Sequence, residues 1–346
     1  MFYKKDDNGI VIVLTYVDDN LCVGHPAALK ALTDEIVKHG LQITVEEGLG
    51  DYLSCEIKLN DDRTKGWIGQ PHMVKKIEKT FGEEAQSKQT HQTPGSPGLG
   101  LVRVQEEELK IPKEKQSRYR TGVGMLLYLI KHSRPDLCNA VRELSKCLDG
   151  ANQAAYKEML RVIKYVLDTK HKGLKIDPKG TELEWKIILF SDSDWAGDKD
   201  NRRSVGGHML FLNGVLISWR SRLQKVVSLS SAEAEFHACS EAAKEIPFVI
   251  QILEFLGIKV QKPVDVMVDN IGAIYMSQNQ MSSSRTRHMD TRHHYVNDLQ
   301  DDGIIKVKFV RSEDNVSDIA TKNVTGEIFR KHEDSVVANK EYWTKS

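Results

Sequence analysis

Four acidic residues between positions 192 and 318 stand in contexts suited to metal-assisted cleavage of a phosphodiester. Asp192 ends an apolar run (ILFSDSDWAG) and Asp269 ends a second one (VDVMVDN). Glu235 lies in the first turn of a helix-like stretch (SSAEAEFHA), and Asp318 opens a short C-terminal helix (DNVSDIATK). Carboxylates at strand ends and helix starts can converge on one point although they are far apart in sequence. Such a cluster repels itself unless divalent cations occupy it, and oxygen ligands of this kind suit Mg²⁺. The chemistry indicated is metal-ion hydrolysis on a phosphate backbone.

Periodicity separates these acids from their neighbours. Ser230 followed three residues later by Glu233 is a capping-box pattern, which gives Glu233 a structural role. Glu233 also shares a helical face with His237, Ser240, Glu241 and Lys244, a solvent face. Glu235 instead heads a stripe of Ala238, Cys239, Ala242, Ile246 and Ile250, which should pack on a sheet. A carboxylate on an apolar stripe is costly without a partner, so Glu235 is the expected ligand. Asp192 and Asp194 share one strand face, but Asp194 already lies in the turn; Asp192 is the first choice and Asp194 an auxiliary. Each acid alone would read as a solvated loop residue or a helix cap. The combination carries the reading.

The elements needed to position these residues follow from the pattern of the chain. Residues 10–24 read as two short strands joined at Asp18–Asp19, followed by a helix over 26–39. Strands are expected over 51–59 and 66–69, then an amphipathic helix over 71–81 with Pro71 at its start. From about 87 to 117 periodicity is lost (TPGSPGLG, then QEEELKIPKEKQ), the pattern of a linker. Residues 118–170 are helical throughout, broken at Arg134–Pro135 and at Gly150–Asn152. The period then changes to strands: EWKIILFSD, SVGGHMLFL and VLISW, with an Asn213–Gly214 hairpin turn between the last two. A long helix over 231–256, a strand over 263–268, a helix near 270–279, a strand over 303–310 and a helix from about Val316 complete a mixed, helix-flanked sheet.

Two basic segments accompany this sheet. Trp219, Arg220, Arg222 and Lys225 interleave cations with an aromatic ring, as a backbone-binding surface would. Arg202 and Arg203 follow the first acidic strand and could add phosphate contacts; an ordinary charged hairpin is the alternative. Residues 284–296 carry Arg285, Arg287, His288, Arg292, His293 and His294. No cysteine is near and the spacing fits no standard zinc pattern.

At this point a resemblance becomes specific. SDSDWAGDKDNRRSVGG, ISWRSRLQKVVSLSSAEAEFHACSEAAKE, VDNIGAI, SRTRHMDTRHHYV and EDNVSDIATK, in that order, closely resemble the ribonuclease H (RNase H) domain of copia-type LTR-retrotransposon Pol polyproteins. The resemblance implies the RNase H fold, a mixed five-stranded sheet with helices on both sides. It maps the family's four acids onto Asp192, Glu235, Asp269 and Asp318. It also implies two Mg²⁺ ions, with Mn²⁺ as a substitute, roughly 3.5–4 Å apart on the scissile phosphate. The implied substrate is the RNA strand of an RNA–DNA hybrid, recognised through phosphates and 2′-hydroxyls. The His-rich segment would be a substrate-side helix, in which His288 or His293 could aid proton transfer.

The N-terminal half resembles the same polyproteins. Tyr16–Val17–Asp18–Asp19 looks like the hairpin of a reverse-transcriptase palm, where paired aspartates bind metal. GDYLSCEI, PHMVKKIEKTFG, YRTGVGMLLYLIKHSRPDLCNAV and AAYKEMLRVIKYVLDTKHKGLKI extend the match through thumb and connection. A polymerase of this family also needs an earlier palm aspartate and fingers, which the chain starts too late to include, and Asn20 stands where an apolar residue is usual. The expected organisation is an incomplete palm and start of thumb (1–93), a linker (94–117), a helical thumb/connection region (118–182), an RNase H domain (183–325) and a tail (326–346). The expected class is therefore α/β, α+β overall. RNA–DNA hybrid cleavage is the expected activity. The rivals are a polymerase fragment active only with its upstream palm and fingers supplied, and an inactive transposon remnant that at most binds nucleic acid. Expected partners are an RNA–DNA hybrid and the remaining Pol segments, fingers/palm and integrase, with no membrane.

Bulk properties agree with an intracellular protein that is not secreted, and the resemblance implies a cytoplasmic (virus-like particle) and/or nuclear site. The 346 residues suffice for two or three domains. With 49 basic and 49 acidic residues the formal net charge is zero, so nucleic acid would have to be held by local patches. Five scattered cysteines without a CxxC pair argue against a disulfide framework or zinc ribbon.

Overall fold

Alternating apolar residues divide the chain into short strands, and these assemble into two compact units, Met1–Lys58 and Leu59–Ser346. The computed structural model describes residues 1–46, 48, 50–180, 184–278 and 287–340, with the backbone alone for Asp51 and 287–293. In the first unit β1 (Phe2–Asp6), β2 (Gly9–Tyr16) and β3 (Asp19–Gly24) form an antiparallel meander. The β2–β3 turn is Val17–Asp18, since Tyr16 pairs with Asp19. Helix α1 (Pro26–Lys38) starts on its proline, and β4 (Asp51–Tyr52) pairs with β5 (Cys55–Leu59).

The second unit begins with β6 (Gly66–Gly69), α2 (Pro71–Phe81), α3 (Lys113–His132), α4 (Cys138–Ser145), α5 (Gln153–Asp168) and β7 (Lys172–Ile176). The Arg134–Pro135 and Gly150–Asn152 breaks fall between these helices as expected. Asn152 caps α5, its side chain accepting from the Ala155 amide at 2.9 Å. Beyond lie β8 (Ile187–Asp194), β9 (Val205–Leu212), β10 (Val215–Leu223), α6 (Ser231–Ala243), α7 (Glu245–Phe255) and β11 (Val264–Val268). Then come α8 (Ile271–Gln278), α9 (Arg287–Asp301), β12 (Ile305–Phe309), α10 (Asp318–Thr321), α11 (Gly326–Val336) and β13 (Val337–Asn339).

Five of these strands make one mixed sheet in the order β10-β9-β8-β11-β12. The first three are antiparallel, while β11 runs parallel to both β8 and β12. This is the sheet that the RNase H resemblance implies. Asn213 and Gly214 both adopt positive φ (48° and 82°) in the β9–β10 turn, the geometry that makes Asn-Gly a hairpin signal. The helix expected over 231–256 is two, broken at Lys244. Pro247 lacks the N–H that would bond to the carbonyl of Ala243, so the ladder restarts there.

The two faces of this sheet are covered differently. Ile187, Leu189, Leu210, Val266 and Val268 pack under α6–α9 in one core. Met209, Phe211 and Leu216 belong instead to a larger core with Val123, Leu126, Leu129, Val141, Met159 and Ile163 of α3–α5. Fully burying side chains of this size contributes about 1.5–3 kcal/mol each. The helical region and the sheet therefore share one interior, where separate domains at 118–182 and 183–325 were expected. Helix α2 joins the same core through Val74, Ile77 and Phe81, so the first unit ends near 58 and not 93.

Residues 94–117 depart from the linker reading. Leu101 and Ile111 are buried; the Leu101 amide donates to Glu143 Oε2 (2.8 Å) and the Ile111 amide to the Ala151 carbonyl (3.0 Å). The segment is a strap, held by backbone hydrogen bonds and isolated apolar side chains that leave no periodic trace. Residues 326–340 are likewise no loose tail. Strand β13 pairs with β7, the Tyr165 hydroxyl donates to Glu333 Oε1 (2.6 Å), and Lys172 pairs with the same carboxylate (2.7 Å). Among the described residues no helix is long and apolar enough to cross a membrane.

Candidate metal centre

The C-terminal ends of β8 and β11 and the start of α6 meet at one point because β8 and β11 are adjacent parallel strands and α6 packs across them. There Asp192, Glu235 and Asp269 bring a carboxylate oxygen each within 4.8 Å of one another. This is the one such group of His, Cys, Asp and Glu among the described residues. Asp192 is buried by β9 and α10, at 1% exposure, and Glu235 by the α6 stripe, at 6%. The Ser193 amide donates to Glu235 Oε1 (3.0 Å), while Oε2 accepts no hydrogen bond. Glu233 does what its pattern requires: its amide donates to Ser230 Oγ (3.2 Å) and its carboxylate accepts from the Leu229 amide (2.7 Å).

Asp318 arrives on α10, which lies flush against β9. A Cβ at Gly207 would stand 2.7 Å from Thr321 Cγ2 and 3.0 Å from Ala320 Cβ, so glycine is what allows this approach. Thr321 donates its hydroxyl to Asp192 Oδ2, and Asn315 anchors the preceding turn by donating to the Ser191 carbonyl (2.9 Å). Asp318 is outside the three-acid group; its Oδ1 faces the ammonium of Lys322 at 3.1 Å. That ammonium also lies 3.6 Å from Asp192 Oδ1.

The electrostatics are those of compressed negative charge. Burial, aided by Asp318 and Asp269 and opposed by Lys322 and Thr321, pushes Asp192 up to about 7. Burial, then Asp192 and Asp269, push Glu235 up to about 10. Burial also raises Asp318, against Lys322. Burial would lower the Lys322 ammonium, yet Asp192, Asp318 and Asp269 hold it above the usual lysine range. Asp192, Glu235 and Asp318, each raised and each with one oxygen that accepts no hydrogen bond, form with Asp269 a hard all-oxygen set suited to a divalent cation. Asp194 is half-buried and raised by burial, but it is not in the three-acid group.

The other expected site residues are distributed around this point. Val205 pairs with Asp194 and Gly206 with Ser193, so Arg202 and Arg203 leave the sheet at the site's end. Arg222 pairs with Gly206, which places it and Lys225 at that same end, two strand spacings or about 10 Å from β8. Arg220 sits one step further back, 3.9 Å from Glu245. Trp219 faces the opposite side of β10, donating to the Ile130 carbonyl (2.7 Å) and packing on the helical core. The expected interleaving of cations and ring on one surface is thus corrected: strand alternation puts them on opposite faces. Arg285 lies outside the described residues, as do the side chains of Arg287, His288, Arg292 and His293. Asp18 and Asp19 are exposed at the hairpin of the first unit, and no metal-type group includes them among the described residues.

Sequence reasoning missed Lys322 and Thr321. The signal was present: Lys322 is four residues after Asp318, the spacing of an ion pair on one helical face.

Strand order and the acid group together define a protein of the RNase H-like class. No family model matches the chain. It is 28% identical over 328 residues to the retrovirus-related Pol polyprotein from transposon TNT 1-94 of Nicotiana tabacum, covering 93% of this chain and 24% of that one. It is 29% identical over 330 residues to the corresponding polyprotein from transposon RE1 of Arabidopsis thaliana, covering 95% and 22%. A shorter stretch of 131 residues is 40% identical to secreted RxLR effector protein 161 of Plasmopara viticola, 38% of this chain and 90% of that one. Over nearly its whole length the chain is similar to retrovirus-related transposon Pol polyproteins, and it spans about a quarter of the length of the first two relatives. Solved structures similar to it include LC11-RNase H1 in complex with an RNA/DNA hybrid (TM-score 0.30, 13% identity, 39% of this chain and 94% of that one). Another is the N-terminal RNase H domain of a Mycobacterium tuberculosis protein (TM-score 0.29, 10% identity, 43% and 97%). The strand order, and not these scores, defines the fold here.

Proposed function

We propose that this chain is a metal-dependent endonuclease that cuts the RNA strand of RNA–DNA hybrids, as the RNase H part of a copia-type Pol polyprotein. The observation that carries the reading is the convergence of Asp192, Glu235 and Asp269 within 4.8 Å, with Asp318 beside them on α10. Asp192, Glu235, Asp269 and Asp318 would hold the metal. Bound Mg²⁺, or Mn²⁺ in its place, would supply Lewis acidity and a water acidified toward neutral pH. The chain's own part is positional. The Ser193 amide fixes Glu235, Thr321 fixes Asp192, and Asn315 fixes the turn that presents Asp318.

Arg202, Arg203, Arg222 and Lys225 would contact phosphates, and Arg220 is a weaker candidate. The substrate's 2′-hydroxyls would distinguish RNA from DNA. Within the parent element the remaining Pol segments, including fingers/palm and integrase, would be partners. Among the described residues no third carboxylate joins Asp18 and Asp19 in a metal-type group, so polymerase activity is not assigned to this chain.

The test is cleavage of a labelled RNA–DNA hybrid by the purified chain with Mg²⁺, read as short 5′-phosphorylated RNA fragments. Cleavage that persists in Asp269→Asn, or without divalent metal, would sink the proposal.

A further inference from the structure

The geometry points to Lys322 as the resident counter-cation of the acid cluster: it holds the Asp192–Asp318 edge in the metal-free protein and yields that edge when a divalent ion binds there. This rests on the nuclease reading above and adds a positioning residue to it. The Lys322 ammonium lies between two carboxylates from different elements, 3.1 Å from Asp318 Oδ1 and 3.6 Å from Asp192 Oδ1. Neither of those oxygens accepts a hydrogen bond, so both depend on the cation facing them. Asp192 is 1% exposed, and an unneutralised carboxylate there would be a buried charge without a partner.

The stem and head of Lys322 are held differently. Its amide donates to the Asp318 carbonyl (3.0 Å), and the next residue is clamped. Asn323 accepts from Asn139 (3.0 Å) and donates to the Leu99 carbonyl (3.0 Å), while its own carbonyl accepts from the Gly98 amide (2.9 Å). The side chain, by contrast, is 39% exposed. An anchored backbone with a partly exposed charged head is what a displaceable cation requires. An ordinary surface pair four residues apart would engage Asp318 alone and contribute little. This one reaches a buried acid on the central strand.

The experiment is isothermal titration of the full chain with Mn²⁺ alone, with thermal melts of metal-free and metal-saturated protein, for wild type, Lys322→Met and Lys322→Arg. Removing the competing charge should tighten Mn²⁺ binding by about tenfold in Lys322→Met. The metal-free melt of that variant should fall below wild type, and saturating Mn²⁺ should close the gap. Lys322→Arg, whose fork can hold both carboxylates, should keep the metal-free melt and weaken Mn²⁺ binding several-fold. Unchanged affinity in either variant overturns the role of Lys322. If Lys322→Met folds only with Mn²⁺, that supports the proposal; if it folds under neither condition, the Arg variant decides. Wild-type protein that binds no Mn²⁺ would instead defeat the nuclease reading itself, so the two failures are separable.

Discussion

Two sets of acids in this chain sit at strand ends, and only one is under compression. Asp18 and Asp19 occupy an exposed hairpin of the first unit, and among the described residues no third acid is gathered with them. Asp192, Glu235 and Asp269 are forced together from the ends of two adjacent strands of a sheet and the start of a helix packed on its face. The difference teaches that the residue types alone do not make a metal-type site. What makes one is a fold that pays to confine like charges, by burying Asp192 under β9 and α10 and Glu235 on the inner face of α6.

The comparison breaks most directly at the acids themselves. Asp269→Asn should lower hybrid cleavage by on the order of 10³-fold or more, whereas Asp18→Asn and Asp19→Asn should leave the rate within about twofold. Equal losses in both sets would mean that confinement is not the criterion. A second test acts on the packing that confines. Gly207→Ala should push α10 off β9, destabilise the protein by about 1–3 kcal/mol and lower cleavage roughly tenfold, read by urea titration and by initial rates.

The pH dependence of stability sharpens the same point. Asp192 is raised to about 7 and Glu235 to about 10, so the folded metal-free protein holds these protons more tightly than the unfolded chain. Stability from this site is therefore present at low pH and lost as pH rises from the ordinary carboxylate range through about 7, continuing toward 10 for Glu235. Chemical denaturation of metal-free protein at several pH values should show this fall, and saturating Mg²⁺ should flatten it. A metal-free protein that gains stability over that window would contradict the confinement account. The smallest effects belong to the basic rim. Arg222→Ala should raise KM for the hybrid about threefold and reduce the salt slope by about one, leaving kcat unchanged, while Arg220→Ala should do less.

Much of this site could be read from the sequence because its determinants are local. Helical periodicity placed Glu235 inward and Glu233 on the cap, and Asn213–Gly214 placed the β9–β10 hairpin. Asp192 and Asp269 were legible as the ends of apolar runs. Features that depend on partners distant in sequence were not legible. The strap at 94–117 is held through its amides, to the Glu143 carboxylate of α4 and to the carbonyls of Gly150 and Ala151 before α5, and such bonds leave no periodic pattern in the strap. Strand alternation separates Trp219 from Arg220 and Arg222, but the layer of helices that covers its face of the sheet comes from distant sequence and left no local pattern. Lys322 carried a visible spacing to Asp318, but its reach to Asp192 exists only once α10 is seated on β9.

The pairing of β13 with β7, reinforced by Glu333 between Tyr165 and Lys172, bears on processing. The chain leaves the helical layer after β7, builds the acid-bearing sheet, and returns to stitch its end onto the strand it left. A protease that cuts between β7 and β8 would produce two bands on a denaturing gel and one species by gel filtration. Cleavage at that point would nick the second unit without liberating the acid-bearing sheet.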